Sequence, residues 1–318
     1  MKFLFNILLL FYKIIKEEKI AFISSPSHFI FLNEFLYKNN LSKILIIVGY
    51  PSSPTITQIK SISKKLEYVQ NQQLIFLSDM MNENKFTIVL KPLKIIFFFK
   101  SIIIGDMNYY HSKGIYSVSK EVIFLDEGIR YLNLKKNELK IKHSFFTIFD
   151  ETNPKNNVQI NKFDYLKSKI KNLKINDDLI YLLGTSDAHP KIDALNNKTY
   201  LTLIKNICAS YKNKKIIFIP HRNEDVENIK KLDIENLSIK INEYPIEFCL
   251  TELSEMPSKF IGFYTMALVS LRIVLQNSKV EVLNISYDLK ILNNENLKDL
   301  YKTYQENFSK LKIKELSF

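Results

Sequence analysis

Glycine is scarce in this chain, and the few glycines form no known nucleotide motif. There are six glycines and no tryptophan in 318 residues. Neither the P-loop pattern nor G-x-G-x-x-G occurs, which excludes the common glycine loops of NTPases and dinucleotide enzymes. No two aspartates are separated by one residue, so an Asp-x-Asp metal clamp is absent, and G-x-S-x-G and H-E-x-x-H are absent as well. We therefore expect a site without metal or cofactor, built from aspartate, histidine and loop donors.

Cysteine is rarer still, with two residues. Cys208 and Cys249 lie in apolar stretches without the spacing of metal ligands, so we expect two buried thiols with neither a disulfide nor zinc. With 46% hydrophobic and 25% charged residues, the chain can bury a large core. Its length is sufficient for two domains.

Acidic residues are fewer than basic ones, 33 against 45, so the net charge is +12. Nucleic acid, an anionic membrane or an anionic small substrate would each suit this charge, but no nucleic-acid motif is present and we expect no nucleic acid partner. Residues 3–12 are apolar, and Lys13, Lys16 and Lys19 follow at helical spacing. This run is shorter than the roughly 20 residues that span a bilayer. We interpret residues 1–18 as an amphipathic segment at a membrane surface, or as a helix packed on its own domain or on a partner subunit.

Short apolar runs bounded by turn residues alternate with helical segments. This pattern predicts βα units and parallel sheets. The expected fold class is α/β with two doubly wound Rossmann-type domains, as in GT-B glycosyltransferases, facing a central cleft. The segment 86–104 is expected to be a buried helix with a strand attached. The expected divisions are an N-terminal α/β domain at 19–150, a linker at 151–177, a second α/β domain at 178–285, and C-terminal helices at 286–318 that cross back to the first domain.

Two polar clusters follow neighbouring strands of the second domain. Gly184-Thr185-Ser186-Asp187 follows the run 179–183, and Pro220-His221-Arg222 follows the run 215–219. Ligands of open α/β sheets bind beyond the carboxyl ends of the strands, so a carboxylate and an imidazole are expected to face one substrate there.

A third candidate is the turn after Gly262. The hydroxyls of Tyr264 and Thr265 are expected at a helix N-terminus that attracts phosphate; an ordinary threonine cap is the alternative. In the first domain, Ser25 and His28 follow a strand and are expected on the acceptor side of the cleft, or as parts of a helix cap.

Several short motifs, taken in order, resemble bacterial sialyltransferases of glycosyltransferase family 52, the lipooligosaccharide α-2,3-sialyltransferases and their capsular relatives. The motifs are Asp126-Glu127-Gly128, Phe146-Thr147-Ile148-Phe149, Leu182-Leu183-Gly184-Thr185-Ser186-Asp187, Pro220-His221-Arg222, Pro245-Ile246-Glu247 and Tyr264-Thr265-Met266-Ala267-Leu268. The resemblance covers about residues 20 to 285.

This resemblance implies metal-independent transfer of sialic acid, with inversion, from CMP-sialic acid to a terminal galactose-type hydroxyl of a bacterial surface glycan. Asp187 would be the general base, and His221 the general acid and phosphate contact. The residues implied to bind the CMP donor are Gly184, Thr185, Arg222, Glu247, Tyr264 and Thr265, and those implied on the acceptor side are Asp126, Glu127, Ser25 and His28. The expected partners are the donor, an oligosaccharide acceptor and a second copy in a homodimer, and the expected location is the inner face of the bacterial cytoplasmic membrane.

The sequence departs from the family pattern and leaves alternatives open. The family usually has Pro-His-Pro-Arg, whereas Arg222 directly follows His221 here. Asp126 competes with Asp187 for the role of base, because sister families place the base in an acidic-acidic-glycine motif. Glu247 could also be a glutamate in the first turn of a helix. Another nonulosonic acid or nucleotide sugar is a possible donor, and a basic, membrane-associated protein without enzymatic activity is the non-enzymatic alternative.

Overall fold

The computed structural model divides the chain into two compact units. These are Met1–Tyr165 and Leu166–Phe318. It describes residues 2–106, 114–125, 143–149, 157–170, 173–185, 195–287 and 295–317. Each unit contains one parallel β-sheet with helices in the connections between strands.

The first unit begins with a helix and continues as alternating strands and helices. Its elements are α1 (Lys2–Lys16), β1 (Lys19–Ile23), α2 (Pro26–Lys38), β2 (Leu45–Val48), α3 (Ser53–Ser63), α4 (Glu67–Gln70), β3 (Gln73–Phe76), α5 (Leu77–Met80), α6 (Glu83–Phe97), β4 (Ser101–Ile104), β5 (Glu121–Leu125), β6 (His143–Thr147) and β7 (Asn157–Ile160). The helix α7 (Asp164–Lys169) spans the division between the units.

The seven strands of the first sheet are all parallel. Their order is β3-β2-β1-β4-β5-β6-β7. The chain therefore winds outward from β1 in one direction and then from β4 in the other, which is Rossmann topology. The point where the winding reverses lies between β1 and β4.

The second unit has the same kind of alternation. Its elements are β8 (Ile175–Leu183), α8 (Asn197–Ser210), β9 (Lys215–Ile219), α9 (Glu227–Lys230), β10 (Leu237–Ile239), α10 (Ile246–Cys249), a 3-10 turn (Leu250–Glu252), β11 (Met256–Gly262), α11 (Met266–Val274), β12 (Glu281–Ser286), α12 (Glu295–Lys310) and β13 (Lys314–Ser317).

The second sheet repeats the winding of the first. Its order is β10-β9-β8-β11-β12-β13, again with all strands parallel, and the direction reverses between β8 and β11. The prediction of two doubly wound, Rossmann-type α/β units is confirmed. Because helices cover both faces of such sheets, the strands are apolar on both sides. In β8, Ile180 and Leu182 on one face are fully buried, and Tyr181 and Leu183 on the other are each 4% exposed.

Two segments contain strands that the sequence pattern did not indicate. The region 151–177, expected as a linker, contains β7, which pairs with β6. The region 286–318, expected as helices, ends in β13, which pairs with β12. Both strands lie at the edge of a sheet, where backbone hydrogen bonds to one neighbour form without an apolar side-chain pattern.

The two cysteines are buried, as predicted, and both are free thiols. Burial raises the pKa of Cys208 to about 11 and that of Cys249 to about 12. Among the helices that the structure describes, none has the length and hydropathy needed to cross a bilayer.

Candidate functional site

Three loops of the second unit lie side by side where its sheet reverses direction. In the sheet, Leu183 at the end of β8 pairs with Ile219 of β9, and Leu182 pairs with Ile261 of β11. The Gly184 N–H donates to the Ile219 carbonyl at 2.8 Å. The loops that follow β8, β9 and β11 therefore emerge at one edge, in the position where ligands of doubly wound sheets bind.

Gly184 allows the loops after β8 and β9 to approach closely. A Cβ atom on residue 184 would overlap the Glu224 carboxylate and would lie 2.9 Å from the His221 backbone nitrogen. Any other residue would therefore push the β9 loop away from the end of β8. Gly184 acts through its missing side chain, and Thr185 beside it is 4% exposed.

The Glu224 side chain holds the loop after β9, the β9 loop, in place through two hydrogen bonds. One of its carboxylate oxygens accepts from the His221 backbone N–H at 2.9 Å, and the other accepts from the Tyr200 hydroxyl of α8 at 2.5 Å. The Glu224 N–H in turn donates to the His221 carbonyl at 2.8 Å. Burial raises the pKa of the Glu224 carboxyl to about 7, against the opposing effect of these two hydrogen bonds.

The ring of His221 has a defined hydrogen-bond role at Nδ1. The Asn223 backbone N–H donates to His221 Nδ1 at 3.3 Å, which requires an unprotonated Nδ1 and places the ring proton of the neutral form on Nε2. Such a ring donates a hydrogen bond through Nε2. For His221 to act as a general acid it must become imidazolium, and the bond from Asn223 must then open.

The third loop leads into α11. Gly262 ends β11 in close packing, since a Cβ there would lie 3.3 Å from the Leu183 Cβ. Tyr264 has a left-handed φ of 33°, held by its N–H bond to Asn284 Oδ1 at 2.8 Å. Thr265 then caps α11 and accepts from the Ala267 N–H at 3.3 Å. The sharp turn thus directs the N-terminus of a nine-residue helix to the same edge as Gly184.

Tyr264 itself has a packing role. Its side chain is 3% exposed, its ring stacks on Tyr301 with centroids 4.8 Å apart, and its hydroxyl accepts from Gln305 Nε2 at 2.8 Å. Burial raises the pKa of the phenol. The hydroxyl expected to contact phosphate is bonded within the protein, which leaves Thr265 and the helix amides as the polar groups of this turn.

Glu247 is fixed against the same helix. It lies on α10 and is 8% exposed. Burial raises the pKa of its carboxyl, while hydrogen bonds from its own backbone N–H and from the Ser270 hydroxyl of α11 lower it. Glu247 is thus tied to α11 rather than exposed in a solvated first turn. Arg222, in contrast, is exposed directly after His221.

Ser25 and His28 are the acceptor-side candidates that the structure describes. They lie in the first unit, where its sheet reverses direction between β1 and β4. Ser25 caps α2 by accepting from the His28 N–H at 3.3 Å. His28 is 7% exposed and packs on Gly105, which follows β4; a Cβ at 105 would lie 2.6 Å from His28 Nδ1. The expected helix cap and the expected position at a strand end are both present.

Asp187, Asp126 and Glu127 lie outside the described residues, so their side chains are not placed. Within the described parts of the chain, no group of three or more histidine, cysteine, aspartate or glutamate side chains is arranged to hold a metal ion. The structure brings together Gly184, Thr185, His221 and Thr265 at one sheet edge.

Sequence reasoning missed Glu224 and Tyr200. The available signal was a glutamate three positions after His221. Glu224 contacts the backbone N–H of His221 in the structure, so it orients the loop.

The comparisons with known proteins include a similarity to a solved structure. No protein-family model matches the chain, and no curated protein matches it in sequence. Among solved structures, the chain is similar to a glycosyltransferase from Rickettsia africae ESF-5, with 11% sequence identity and a TM-score of 0.43. The match covers 94% of this chain and 90% of that one.

Proposed function

We propose that the protein is a GT-B-type glycosyltransferase that transfers sialic acid from CMP-sialic acid to a galactose-type hydroxyl of a bacterial surface glycan. The observation that carries the proposal is the edge of the second sheet between β8 and β11. There the Gly184 loop, His221 and the capped N-terminus of α11 lie on neighbouring strand ends. The choice of CMP-sialic acid rests on the ordered motifs that resemble family 52.

The phosphate of the donor fits the polar groups of this edge. A helix N-terminus supplies amide donors and a favourable dipole to an anion, and Thr265 adds a hydroxyl beside them. Arg222 is exposed next to His221 and offers a guanidinium, which pairs with phosphate in two hydrogen bonds. His221 supplies an Nε2 donor, and Glu247 is assigned to the ribose.

In the proposed reaction, Asp187 takes the proton of the acceptor hydroxyl. The acceptor oxygen then bonds to the anomeric carbon of sialic acid on the face opposite CMP, so the configuration inverts. The bond from this carbon to the phosphate oxygen breaks, and its electron pair leaves with CMP. General-base assistance of this kind contributes roughly 10² to 10⁴ in rate. Arg222, His221 and the α11 amides stabilise the charge that develops on the phosphate.

The direct test is CMP release from CMP-sialic acid with a galactose-terminated acceptor in EDTA. We expect acceptor-dependent release, together with a product that contains sialic acid. Parallel reactions use UDP-sugars, GDP-sugars and a second CMP-nonulosonic acid. Release from a UDP- or GDP-sugar alone would reject the CMP assignment, and no transfer from any donor would reject the glycosyltransferase proposal.

The identity of the base is tested by comparing Asp187→Asn with Asp126→Asn. We expect Asp187→Asn to lower the rate of transfer by about a hundredfold or more, as loss of a general base does, with CMP affinity nearly unchanged. Asp126→Asn is expected to raise the KM for the acceptor and leave most of kcat. The reverse pattern would assign the base to Asp126.

A further inference from the structure

The largest group of exposed apolar side chains in the described structure lies on two helices of the first unit. On α1, Leu4, Phe5, Leu8 and Tyr12 are between 61% and 65% exposed and Ile15 is 58% exposed. On α6 and the turn after it, Ile88, Ile95, Phe98 and Phe99 are between 60% and 72% exposed. We call these side chains the α1–α6 face. Soluble proteins rarely leave so much contiguous apolar surface without a partner.

Helix α1 is fastened to its unit and is not a free arm. Leu10 and Ile14 are fully buried, and Asn6 Nδ2 donates to the Met80 carbonyl at 2.8 Å. The interpretation as a helix packed on its own domain is therefore confirmed for one side of α1. The opposite side points outward with its leucine and aromatic residues.

Helices α1 and α6 run parallel, side by side. At their N-terminal ends, Lys85 Nζ lies 4.8 Å from the centroid of the Phe3 ring. At their C-terminal ends, Lys100 Nζ donates to the Ile15 carbonyl at 2.8 Å. Each helix has 15 residues, which corresponds to a length of about 22 Å. The two outward sides therefore form one elongated surface.

The sequence did not indicate the contribution of α6, which was expected to be buried. Its inner side is buried as expected, through Phe86, Leu93 and Phe97. Ile88 and Ile95 recur seven residues apart on the outer side, with Lys91 exposed between them. An apolar helix side that alternates with lysine is typical of helices that lie in a membrane interface.

The charge on these two helices is predominantly positive. Helix α1 carries Lys2, Lys13 and Lys16 and has no acidic residue. The segment 83–100 carries four lysines, with Glu83 as the single acid. Lysine side chains at such positions keep their ammonium groups at the level of lipid headgroups while their methylene stems cover apolar surface.

We propose that the α1–α6 face lies on the surface of an anionic lipid membrane. Apolar side chains from both helices enter the interface, and the surrounding lysines contact acidic headgroups. A second copy of the chain is a poorer occupant, because a two-fold contact would set this positive surface against itself. The inference concerns binding only and does not depend on the proposed sugar transfer.

The test is co-sedimentation of the full-length protein with lipid vesicles. Vesicles of phosphatidylglycerol mixed equally with phosphatidylcholine are compared with vesicles of phosphatidylcholine alone. We expect binding to be about tenfold or more tighter with phosphatidylglycerol, and to weaken with added salt, because each lysine near an anionic surface adds to the affinity. Equal binding to both vesicle types, or to neither, would overturn the proposal.

The decisive variant changes the turn after α6 and leaves α1 intact. We expect Phe98→Ser with Phe99→Ser to weaken vesicle binding by about tenfold or more, while the circular dichroism spectrum and thermal midpoint stay unchanged. The matched control is Ile241→Ser, since Ile241 is 73% exposed in the second unit. Equal binding by the double variant and the control would overturn the role of Phe98 and Phe99 in the α1–α6 face.

Charge and self-association are tested separately. We expect Lys91→Glu to reduce the preference for phosphatidylglycerol several-fold, and Lys205→Glu, an exposed lysine of the second unit, to leave it unchanged. Analytical ultracentrifugation without lipid measures whether the protein is a monomer or a dimer. A dimer that the Phe98 and Phe99 changes convert to monomer would assign the face to self-association and overturn the membrane proposal.

Discussion

Glu224 holds the loop that carries His221, and it does so through the backbone. Its carboxylate bridges the Tyr200 hydroxyl of α8 and the His221 N–H, in the space that Gly184 leaves open. A buried carboxyl with a pKa near 7 titrates in the range where enzymes work. Ionisation of Glu224 should therefore contribute to the pH dependence of the β9 loop.

The Glu224→Gln variant tests this role through stability. The pKa of Glu224 rises from 4.5 to about 7 on folding, so the folded chain resists the ionisation that the unfolded chain undergoes. The contribution of this group to stability is complete below about pH 4.5 and is lost as the pH rises through about 7. Up to about 3 kcal/mol would be lost for a shift of this size.

We expect Glu224→Gln to be as stable as the parent near pH 4.5 and more stable near pH 8, as measured by urea denaturation. The glutamine keeps an acceptor for the His221 N–H without a titrating charge. The matched control is Asp225→Asn, because Asp225 is exposed next to Glu224. An unchanged pH profile in Glu224→Gln would show that the pKa of Glu224 is the same in the folded and the unfolded chain.

The sequence predicted where several candidate residues lie in the fold, but not which groups their side chains contact. Thr265 and Ser25 cap helices, which follows from local chemistry, since a hydroxyl before a helix accepts from its first turn. The burial of Tyr264 arises from α12, whose Tyr301 lies 37 positions further on. The sequence near Tyr264 contains no information on such a long-range contact.

At the level of elements, strands that are covered on both faces were predictable. β2, and β9 after its first residue Lys215, are continuous runs of branched and aromatic residues, as expected where helices cover both sides of a sheet. β7 and β13 were not predicted, because Asn157–Ile160 and Lys314–Ser317 are four-residue edge strands with at most two apolar residues each. Their identity depends on backbone pairing with β6 and β12, which is a property of the completed sheet.

Helix α11 offers a test of the capped N-terminus as a phosphate site. We expect Thr265→Ala to destabilise the protein by about 1 kcal/mol through loss of the cap. Because the hydroxyl is also proposed to contact phosphate, we expect the same substitution to weaken CMP affinity by about tenfold. Urea denaturation measures the first effect, and titration calorimetry with CMP measures the second.

The control for α11 is Thr265→Ser, which keeps the hydroxyl that accepts from Ala267. We expect Thr265→Ser to keep both the stability and the CMP affinity of the parent protein. A Thr265→Ala variant that loses stability but binds CMP like the parent would limit Thr265 to a structural cap.

At the scale of the whole molecule, the two units have the same winding and carry different candidate groups at their reversal points. The first places His28 against Gly105 at the end of β4, and the second places Gly184 and His221 beside α11. Rossmann units bind ligands at such points. The contacts proposed for the nucleotide all belong to the second unit. Nucleotide binding should therefore stabilise the second unit more than the first.

Hydrogen exchange of the intact chain in the presence of CMP tests this division. Because a ligand that binds only the folded state stabilises it by mass action, we expect slower exchange in the loops after β8 and β9 and in the first turn of α11. The region around Ser25 and His28 is expected to exchange at its original rate. The control is the His221→Ala, Arg222→Ala double variant, in which CMP protection should largely disappear. Protection confined to the first unit, or protection that persists in the double variant, would contradict the assignment of the nucleotide to the second sheet.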